Sequence, residues 1–194
     1  MSKSKGEKIQ IVAFSANESD YHPNILLKTF LENNNHLIIK QTNLATAFTI
    51  ELPKTSKQTK IMICSLFKLN KEYTGIVDVN CYLLFLDLIK EDIIAKFEYI
   101  LNYIKENCDL TKTIFVYGMM KEKNGKKNIT SEDIKKYFDS FQINYEYKEI
   151  LADDKKTISD SFMDIFNYCY KHPISGDYNV DDKEGGQQGS CNIF

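Results

Sequence analysis

The chain ends in a four-residue pattern whose chemistry is that of lipid attachment. Its last residues are Cys191-Asn192-Ile193-Phe194, so a thiol stands fourth from the end and an aliphatic side chain precedes the final residue. This is a C-a-a-X arrangement, in which a prenyltransferase attaches an isoprenoid to the cysteine. Asn192 is not aliphatic, and Phe194 favours geranylgeranyl over farnesyl. The pattern predicts a prenyl group on Cys191.

The residues before Cys191 are suited to presenting it. Residues 185–190 read Gly-Gly-Gln-Gln-Gly-Ser, a composition typical of solvated linkers. Residues 173–194 carry a net charge of −3, which comes from Asp177, Asp181, Asp182, Lys183 and Glu184. A single lipid binds membranes marginally, and the inner leaflet repels an acidic tail. We therefore expect reversible association with cytosolic membrane faces, assisted by a lipid-shielding chaperone.

Composition excludes several other classes of protein. The chain has 194 residues, a hydrophobic content of 43% and a net charge of −2, which suit one ordinary globular domain. A nucleic-acid partner is not expected, because such proteins normally present a basic face. The longest apolar run, residues 81–89, is interrupted by Asp87 and is too short to span a membrane. The first residues offer neither a signal peptide nor a glycine for myristoylation.

Cysteine and histidine spacing does not indicate a metal centre. The five cysteines are odd in number and no C-x-x-C pair occurs, while the three histidines are scattered. Zinc sites and disulfide frameworks are therefore not expected, and a reducing cytosol fits this usage. Three of the cysteines lie in apolar runs and are predicted to be small core residues: Cys64, Cys81 and Cys169.

Apolar periodicity predicts alternating strands and helices. Six short runs rich in β-branched and aromatic residues predict strands at 8–15, 44–52, 60–67, 81–88, 113–117 and 145–152. Four segments with helical spacing predict helices beginning near Pro23, Lys90, Ser131 and Ile158. Thr130 and Thr157 each precede an acidic residue by three positions, which predicts capping boxes for the last two helices.

These elements define a fold class and two regions of the chain. The order predicts an α/β domain with a mostly parallel six-stranded sheet, helices on both faces and one antiparallel hairpin across residues 53–57. We assign residues 1–172 to this domain and residues 173–194 to a flexible tail.

The order of elements, the length and the C-terminal pattern together resemble the Ras/Rab-like small GTPases. The resemblance covers residues 8–172. It is clearest at residues 81–88 with the helix that follows, and at the terminal segment KKTISDSFMDIFNYCYKH. It implies a P-loop GTPase-like fold, whose nucleotide chemistry resides in loops at the ends of strands.

The loop that would hold phosphate is degenerate. The family has G-x-x-x-x-G-K-[ST] after its first strand, where backbone N–H groups, a lysine and a hydroxyl hold phosphates and magnesium. Residues 13–24 contain neither glycine nor lysine. The corresponding positions are Ser15, Glu18, Asp20, Tyr21 and His22. Two carboxylates would therefore face a polyanion without compensating cations.

The remaining nucleotide motifs are also missing. Residues 68–70, Lys-Leu-Asn, stand where the family has D-x-x-G. The guanine-reading N-K-x-D is matched by Gly118, Met119, Met120 and Lys121, which puts a lysine at the carboxylate position. Residues 152–154, Ala-Asp-Asp, replace the family's S-A-K turn. The resemblance with these departures implies a pseudo-GTPase that needs neither GTP nor magnesium.

The predicted function is that of a prenylated, nucleotide-independent adaptor. By analogy with the family's switch side, protein partners would bind residues 43–80, where Phe48, Phe67 and Tyr73 are candidate contacts. One alternative is a divergent GTPase that still binds GTP or GDP, with phosphate meeting the lysines of residues 121–127. Others are a scaffold subunit of a larger assembly, and a different α/β fold whose loops have no nucleotide role. No catalytic residues of another enzyme class are recognised.

Overall fold

The computed structural model describes residues 8–15, 23–42, 45–52, 58–66, 78–121 and 125–174. The strands are β1 (Lys8–Ser15), β2 (His36–Gln41), β3 (Ala45–Glu51), β4 (Gln58–Leu66), β5 (Cys81–Asp87), β6 (Ile114–Met120) and β7 (Tyr145–Leu151). The helices are α1 (Pro23–Glu32), α2 (Ile93–Asn107), α3 (Ser131–Phe141) and α4 (Lys155–Lys171).

All seven strands form one sheet in the order β2-β3-β4-β1-β5-β6-β7. Strands β4, β1, β5, β6 and β7 are mutually parallel, whereas β3 is antiparallel to both of its neighbours. The predicted α/β class, the mostly parallel sheet and the β3–β4 hairpin are confirmed. The central strands β5 and β6 are almost continuously apolar and fully buried, because helices cover them on both faces.

The predicted count of six strands is wrong, because the sheet contains a seventh strand, β2, which the sequence pattern does not predict. Its sequence, HLIIKQ, has three consecutive aliphatic residues and no alternation, and every one of its residues is exposed. The strand is specified by pairing with β3 rather than by burial of one of its faces. That pairing contains a register shift between Ile38 and Lys40, typical of a β-bulge.

The face covered by α1 and α4 has an aromatic core. Phe30 of α1 lies with its ring centroid 5.3 Å from that of Phe162 and 5.4 Å from that of Phe166, both on α4. Phe48 of β3 and Phe85 of β5 complete the contact from the sheet, at centroid distances of 6.0 Å from Phe166 and 6.3 Å from Phe162. Tilted and edge-on pairs at these distances are favourable beyond the apolar area they bury.

The opposite face is covered by α2 and α3. Phe97 of α2 lies 5.7 Å from Phe138 of α3, measured between ring centroids. Phe138 in turn stacks on Tyr145 of β7 at 4.3 Å. These contacts fix α3 against the β7 edge of the sheet, and so position the loop that precedes α3.

The helix caps agree with the sequence for α3 and differ for α4. Thr130 and Asp133 form the predicted capping box, each side chain accepting the other residue's backbone N–H. The capping box predicted from Thr157 is wrong, because α4 begins earlier, at Lys155. Its N-cap is Asp154, whose Oδ1 accepts the backbone N–H of Thr157 at 3.0 Å.

The prediction that Cys64, Cys81 and Cys169 are core residues is confirmed, since all three are buried. The Sγ atoms of Cys81 and Cys169 lie 3.4 Å apart as free thiols. Burial raises the pKa of Cys81 well above its ordinary value, which disfavours the reactive thiolate. Within the described ranges, none of the helices has the length and apolar character required to cross a bilayer.

Candidate functional site

The carboxyl ends of the parallel strands form the candidate site. Ligands of open α/β sheets generally bind at this edge, in the crevice formed by the loops that follow the strands. Strand β1 ends there at Ser15, β5 at Asp87 and β6 at Met120. Ser15 is half-buried. Glu18, Asp20, Tyr21 and His22, which complete the predicted phosphate-loop region, lie outside the described residues.

The start of α1 is the position where a phosphate-binding helix would present its N–H groups. Its first residue, Pro23, has no N–H and is buried. The Oδ1 atom of Asn24 accepts a hydrogen bond of 2.8 Å from the buried hydroxyl of Ser65, at the end of β4. The first cation of the helix is Lys28, a full turn later, and it pairs with Glu32. The described start of α1 therefore offers a polyanion little attraction.

The structure corrects the boundary of the predicted guanine-motif region. Strand β6 continues to Met120 instead of ending at Tyr117, so Gly118, Met119 and Met120 are strand residues that are buried. Lys121 is the first exposed residue after the strand. Three of the four candidate residues thus contribute to the sheet, and Lys121 alone stands at its carboxyl edge.

Gly118 has a packing reason to be glycine. A Cβ atom at this position would lie 2.7 Å from the hydroxyl of Tyr147 and 2.8 Å from Cδ1 of Leu88. Both distances are shorter than van der Waals contact. The absent side chain therefore makes room for the Tyr147 hydroxyl, which donates a 3.0 Å hydrogen bond to Glu149.

Glu149 also holds Lys127, a lysine of the segment before α3. The Nζ atom of Lys127 donates to both of its carboxylate oxygens, at 2.6 and 2.5 Å. Burial, and then the Glu149 carboxylate, raise the pKa of Tyr147, which keeps the phenol protonated as a donor. The sequence alone allows Lys127 to meet phosphate. The structure instead places it in a half-buried ion pair.

The loop before α3 is attached to the end of β5. Asn128 donates from its backbone to the carbonyl of Leu88 at 2.7 Å, and from its side chain to the carbonyl of Ile89 at 2.8 Å. Asp87, a buried carboxylate, accepts the backbone N–H of Ile89 at 3.3 Å. Asn128 and Asp87 thus stabilise the turns around the end of β5.

The last of the predicted motif positions, residues 152–154, contains Asp154, the N-cap residue of α4. Asp154 accepts the N–H and the hydroxyl of Thr157, and these hydrogen bonds lower the pKa of its carboxyl group. A carboxylate in this position stabilises the positive end of the α4 dipole. The acidic residue therefore has a structural explanation that needs no ligand.

The candidate partner surface needs a correction at Phe48. This side chain is completely buried, 6.4 Å from Phe30 between ring centroids, and cannot contact a partner. Phe67, Tyr73 and Cys191 lie outside the described residues. The aliphatic surface that the sequence reasoning missed is Leu37, Ile38 and Ile39 on β2, exposed to 68%, 44% and 46%. The turn-forming asparagines before the run were the available signal for an additional strand.

The described residues contain no group of three or more histidine, cysteine or carboxylate side chains placed to hold a metal ion. Comparison of the chain with models of known protein families, and with curated proteins, finds no match.

Proposed function

We propose that this protein is a prenylated pseudo-GTPase of the Ras/Rab-like class, acting as a nucleotide-independent adaptor at cytosolic membrane faces. A mostly parallel sheet with one antiparallel hairpin and helices on both faces supports the proposal in general terms, and its seven strands are one more than the resemblance implies. The observation that carries the proposal is the start of α1. There Pro23 removes a donor, the Asn24 side chain is bonded to Ser65, and the described first turn of α1 contains no cation.

The electrostatic argument concerns what a triphosphate would gain on binding. In nucleotide-binding proteins, backbone N–H groups and a lysine replace the water around the phosphates. In the described part of this edge, Lys127 is already neutralised by Glu149. A nucleotide would have to break that ion pair to use Lys127. Lys121 is exposed after β6, and a single solvated lysine offsets little of the desolvation of the phosphates.

Attachment to membranes is proposed through a prenyl group on Cys191. The tail is acidic and contains no other cysteine, so one lipid would supply the whole attraction. A protein held in this way exchanges with the cytosol, where a lipid-shielding chaperone would bind the isoprenoid. Partner proteins would contact a fixed surface, since no γ-phosphate orders and releases loops.

Nucleotide binding is the first test. In isothermal titration with Mg²⁺, we expect GTP and GDP to bind no more tightly than about 1 mM. Acid extracts of the purified protein should contain no guanine nucleotide. A Kd below about 10 µM, or bound nucleotide at near-stoichiometric amounts, would instead establish the divergent-GTPase alternative.

Cell fractionation tests the lipid anchor. The variant Cys191→Ser should lose membrane association, because no thiol remains near the terminus for a prenyltransferase. Cys108→Ser is the matched control, since this cysteine is far from the C-a-a-X pattern, and its fractionation should be unchanged. Membrane association that survives Cys191→Ser would favour the scaffold-subunit alternative.

A further inference from the structure

Strands β1 to β4 carry lysines on one face of the sheet. Residues that are paired across neighbouring strands direct their side chains to the same face. One row of pairs joins Lys8 of β1 to Lys60 of β4, Lys60 to Thr49 of β3, and Thr49 to Leu37 of β2. Two lysines and an aliphatic side chain therefore share a row that crosses three strand spacings, or about 14 Å.

The irregular pairing of β2 adds a third lysine to this face. Thr49 and Ala47 are two residues apart on β3, so their partners Leu37 and Lys40 lie on the same face. Regular alternation along β2 would instead put Ile39 there. The register shift thus places an ammonium group beside Leu37 and turns an aliphatic side chain away.

These four residues, Leu37, Lys40, Lys60 and Lys8, form a lysine surface that is accessible and positively charged. Lys8 and Lys40 are exposed, Lys60 is half-buried, and Leu37 is the most exposed large apolar side chain among the described residues. Strands β1 to β4 contain one carboxylate, Glu51, against the three lysines. The surface is therefore positive although the whole chain has a net charge of −2.

The lysines repel one another, and an anionic partner would relieve that repulsion. Burial, and then the neighbouring Lys60 ammonium, lower the pKa of Lys8. A negative surface close to both ammonium groups favours their charged forms. The attraction would be strongest for a partner that carries many negative charges side by side.

The aliphatic neighbour favours a lipid bilayer among such partners. Every residue of β2 is exposed, so this outer strand can enter the interfacial layer of a membrane. Lysine stems can lie along apolar material while their ammonium groups stay at the headgroups. Cations beside exposed aliphatic side chains are the combination that binds anionic bilayers.

The C-terminal tail leaves the domain at the same end of the sheet. Asn80 exchanges hydrogen bonds with the backbone of Gln10, two residues after Lys8, and its Nδ2 donates to the carbonyl of His172 at 3.0 Å. Cys191 follows nineteen positions later. At up to about 3.3 Å per residue, that length allows a lipid on Cys191 and the lysine surface to meet one bilayer.

We propose that the lysine surface is a second membrane-binding site, which docks the β2 side of the domain against anionic lipid headgroups. It supplies the attraction that a single prenyl group on an acidic tail lacks. The inference deepens the proposed function and rests on its location at cytosolic membrane faces, whose anionic lipids are the ligand.

Vesicle binding by the unlipidated full-length chain tests the surface apart from the anchor. At about 0.1 M salt, we expect a partition coefficient about tenfold higher for phosphatidylcholine vesicles with about one-third phosphatidylserine than for phosphatidylcholine alone. The variant Lys8→Gln/Lys40→Gln/Lys60→Gln should lose about tenfold or more in binding to the anionic vesicles. Lys40→Gln alone, at an exposed position, should lose about fivefold. In 1 M salt these differences should disappear, since the Debye length falls to about 3 Å.

The aliphatic part of the surface has its own variant and control. Leu37→Asn should weaken binding to the anionic vesicles about two- to fivefold, because an apolar contact with the interfacial layer is lost. Ile25→Asn is the matched control, since Ile25 is 51% exposed but lies on α1, which covers the other face of the sheet. Its binding should be unchanged.

The control for charge is Lys121→Gln/Lys135→Gln/Lys136→Gln, which removes three exposed lysines elsewhere and should leave binding within about twofold. Equal binding to neutral and anionic vesicles, or equal losses for the two triple variants, would overturn the proposal. Self-association that Leu37→Asn abolishes, without vesicle binding, would assign the surface to a second copy of the chain. Failure of the lipid anchor is measured separately, by Cys191→Ser in cells.

Discussion

Strands β7 and β2 form the two outer edges of the same sheet, and their side chains differ. Strand β7 alternates exposed charged residues, Glu146 and Lys148, with half-buried ones that face the neighbouring helices. Strand β2 has one lysine and three exposed aliphatic residues in a row. Alternating charge is a recognised protection against edge-to-edge association, whereas an exposed aliphatic edge invites pairing.

The difference shows which edge is complete within the described fold. At β7, Tyr145 stacks on α3 and Glu149 is paired with Lys127, so side chains on this strand have partners within the domain. At β2, the described residues leave the aliphatic side chains uncovered. We therefore expect substitutions of packed residues next to either edge to lower the free energy of unfolding strongly. Substitutions on β2 itself should change self-association and leave that free energy nearly unaltered.

The largest effect is expected on β3, the strand next to the β2 edge. Phe48→Ala should lower the free energy of unfolding by about 3–5 kcal/mol, because it removes a fully buried ring from the aromatic core. Leu37→Ala on β2 should change it by less than about 0.5 kcal/mol. Urea denaturation measures both. A loss below about 1 kcal/mol for Phe48→Ala would contradict the packing described for it.

A smaller loss is expected beside the β7 edge. Gly118→Ala should destabilise the protein by about 1–3 kcal/mol, since the new methyl group overlaps the Tyr147 hydroxyl and Leu88. Tyr147→Phe removes that hydroxyl. Thermal unfolding of the double variant should therefore show a smaller loss than the sum of the two single variants. Strict additivity would argue against a direct clash.

The ion pair on β7 should contribute less. Lys127→Ala should cost about 1–2 kcal/mol, a value between those of exposed and fully buried pairs, because both side chains are half-buried. Lys148→Ala is the matched control on the same strand, since its contact with Asp164 is exposed and 3.9 Å long. Equal losses for the two variants in chemical denaturation would show that burial does not strengthen the Lys127 pair.

Acid should weaken the two helices that flank β7 in the sequence. Hydrogen bonds from Thr130 and Thr157 lower the pKa values of Asp133 and Asp154, respectively. The folded state then binds fewer protons than the unfolded state. This stabilisation is complete above the ordinary carboxyl pKa of about 3.9, and is lost as the pH falls through the folded values.

Carboxyl NMR titration of the wild-type chain and of Thr157→Val checks this expectation. The variant should raise the pKa of Asp154 and leave that of Asp133 unchanged. A pKa of Asp154 that does not respond would mean that the threonine is not the source of the shift.

The smallest change in stability is expected on β2 itself. Leu37→Lys should alter the free energy of unfolding by less than about 0.5 kcal/mol, because the side chain is 68% exposed. It should also give the β2 edge the kind of charge that protects β7, and so reduce any self-association in light scattering. A large loss of stability would show that Leu37 is covered in solution.

The strands with long apolar runs could be predicted from the sequence because burial on both faces leaves a continuous pattern. Strands β5 and β6 were located in this way, although the predicted end of β6 at residue 117 was three residues too early. Strand β2 has no such pattern, and it is recognised only through its pairing with β3.

The candidate site was predictable in composition but not in contacts. The absence of a phosphate-binding lysine before α1 is legible in the sequence, because it depends on residue types alone. The sequence does not show that Lys127 pairs with Glu149 or that Asn24 bonds to Ser65, because each partner is distant in the chain.

Local residue order thus determined the α/β class, four helices, the hairpin and the C-terminal C-a-a-X pattern, because each depends on neighbouring residues. The tertiary structure alone decided that Phe48 is buried, that Asp154 caps α4 and that β2 is an exposed edge. These features depend on which segments the fold brings together, and side-chain type at a single position does not specify that.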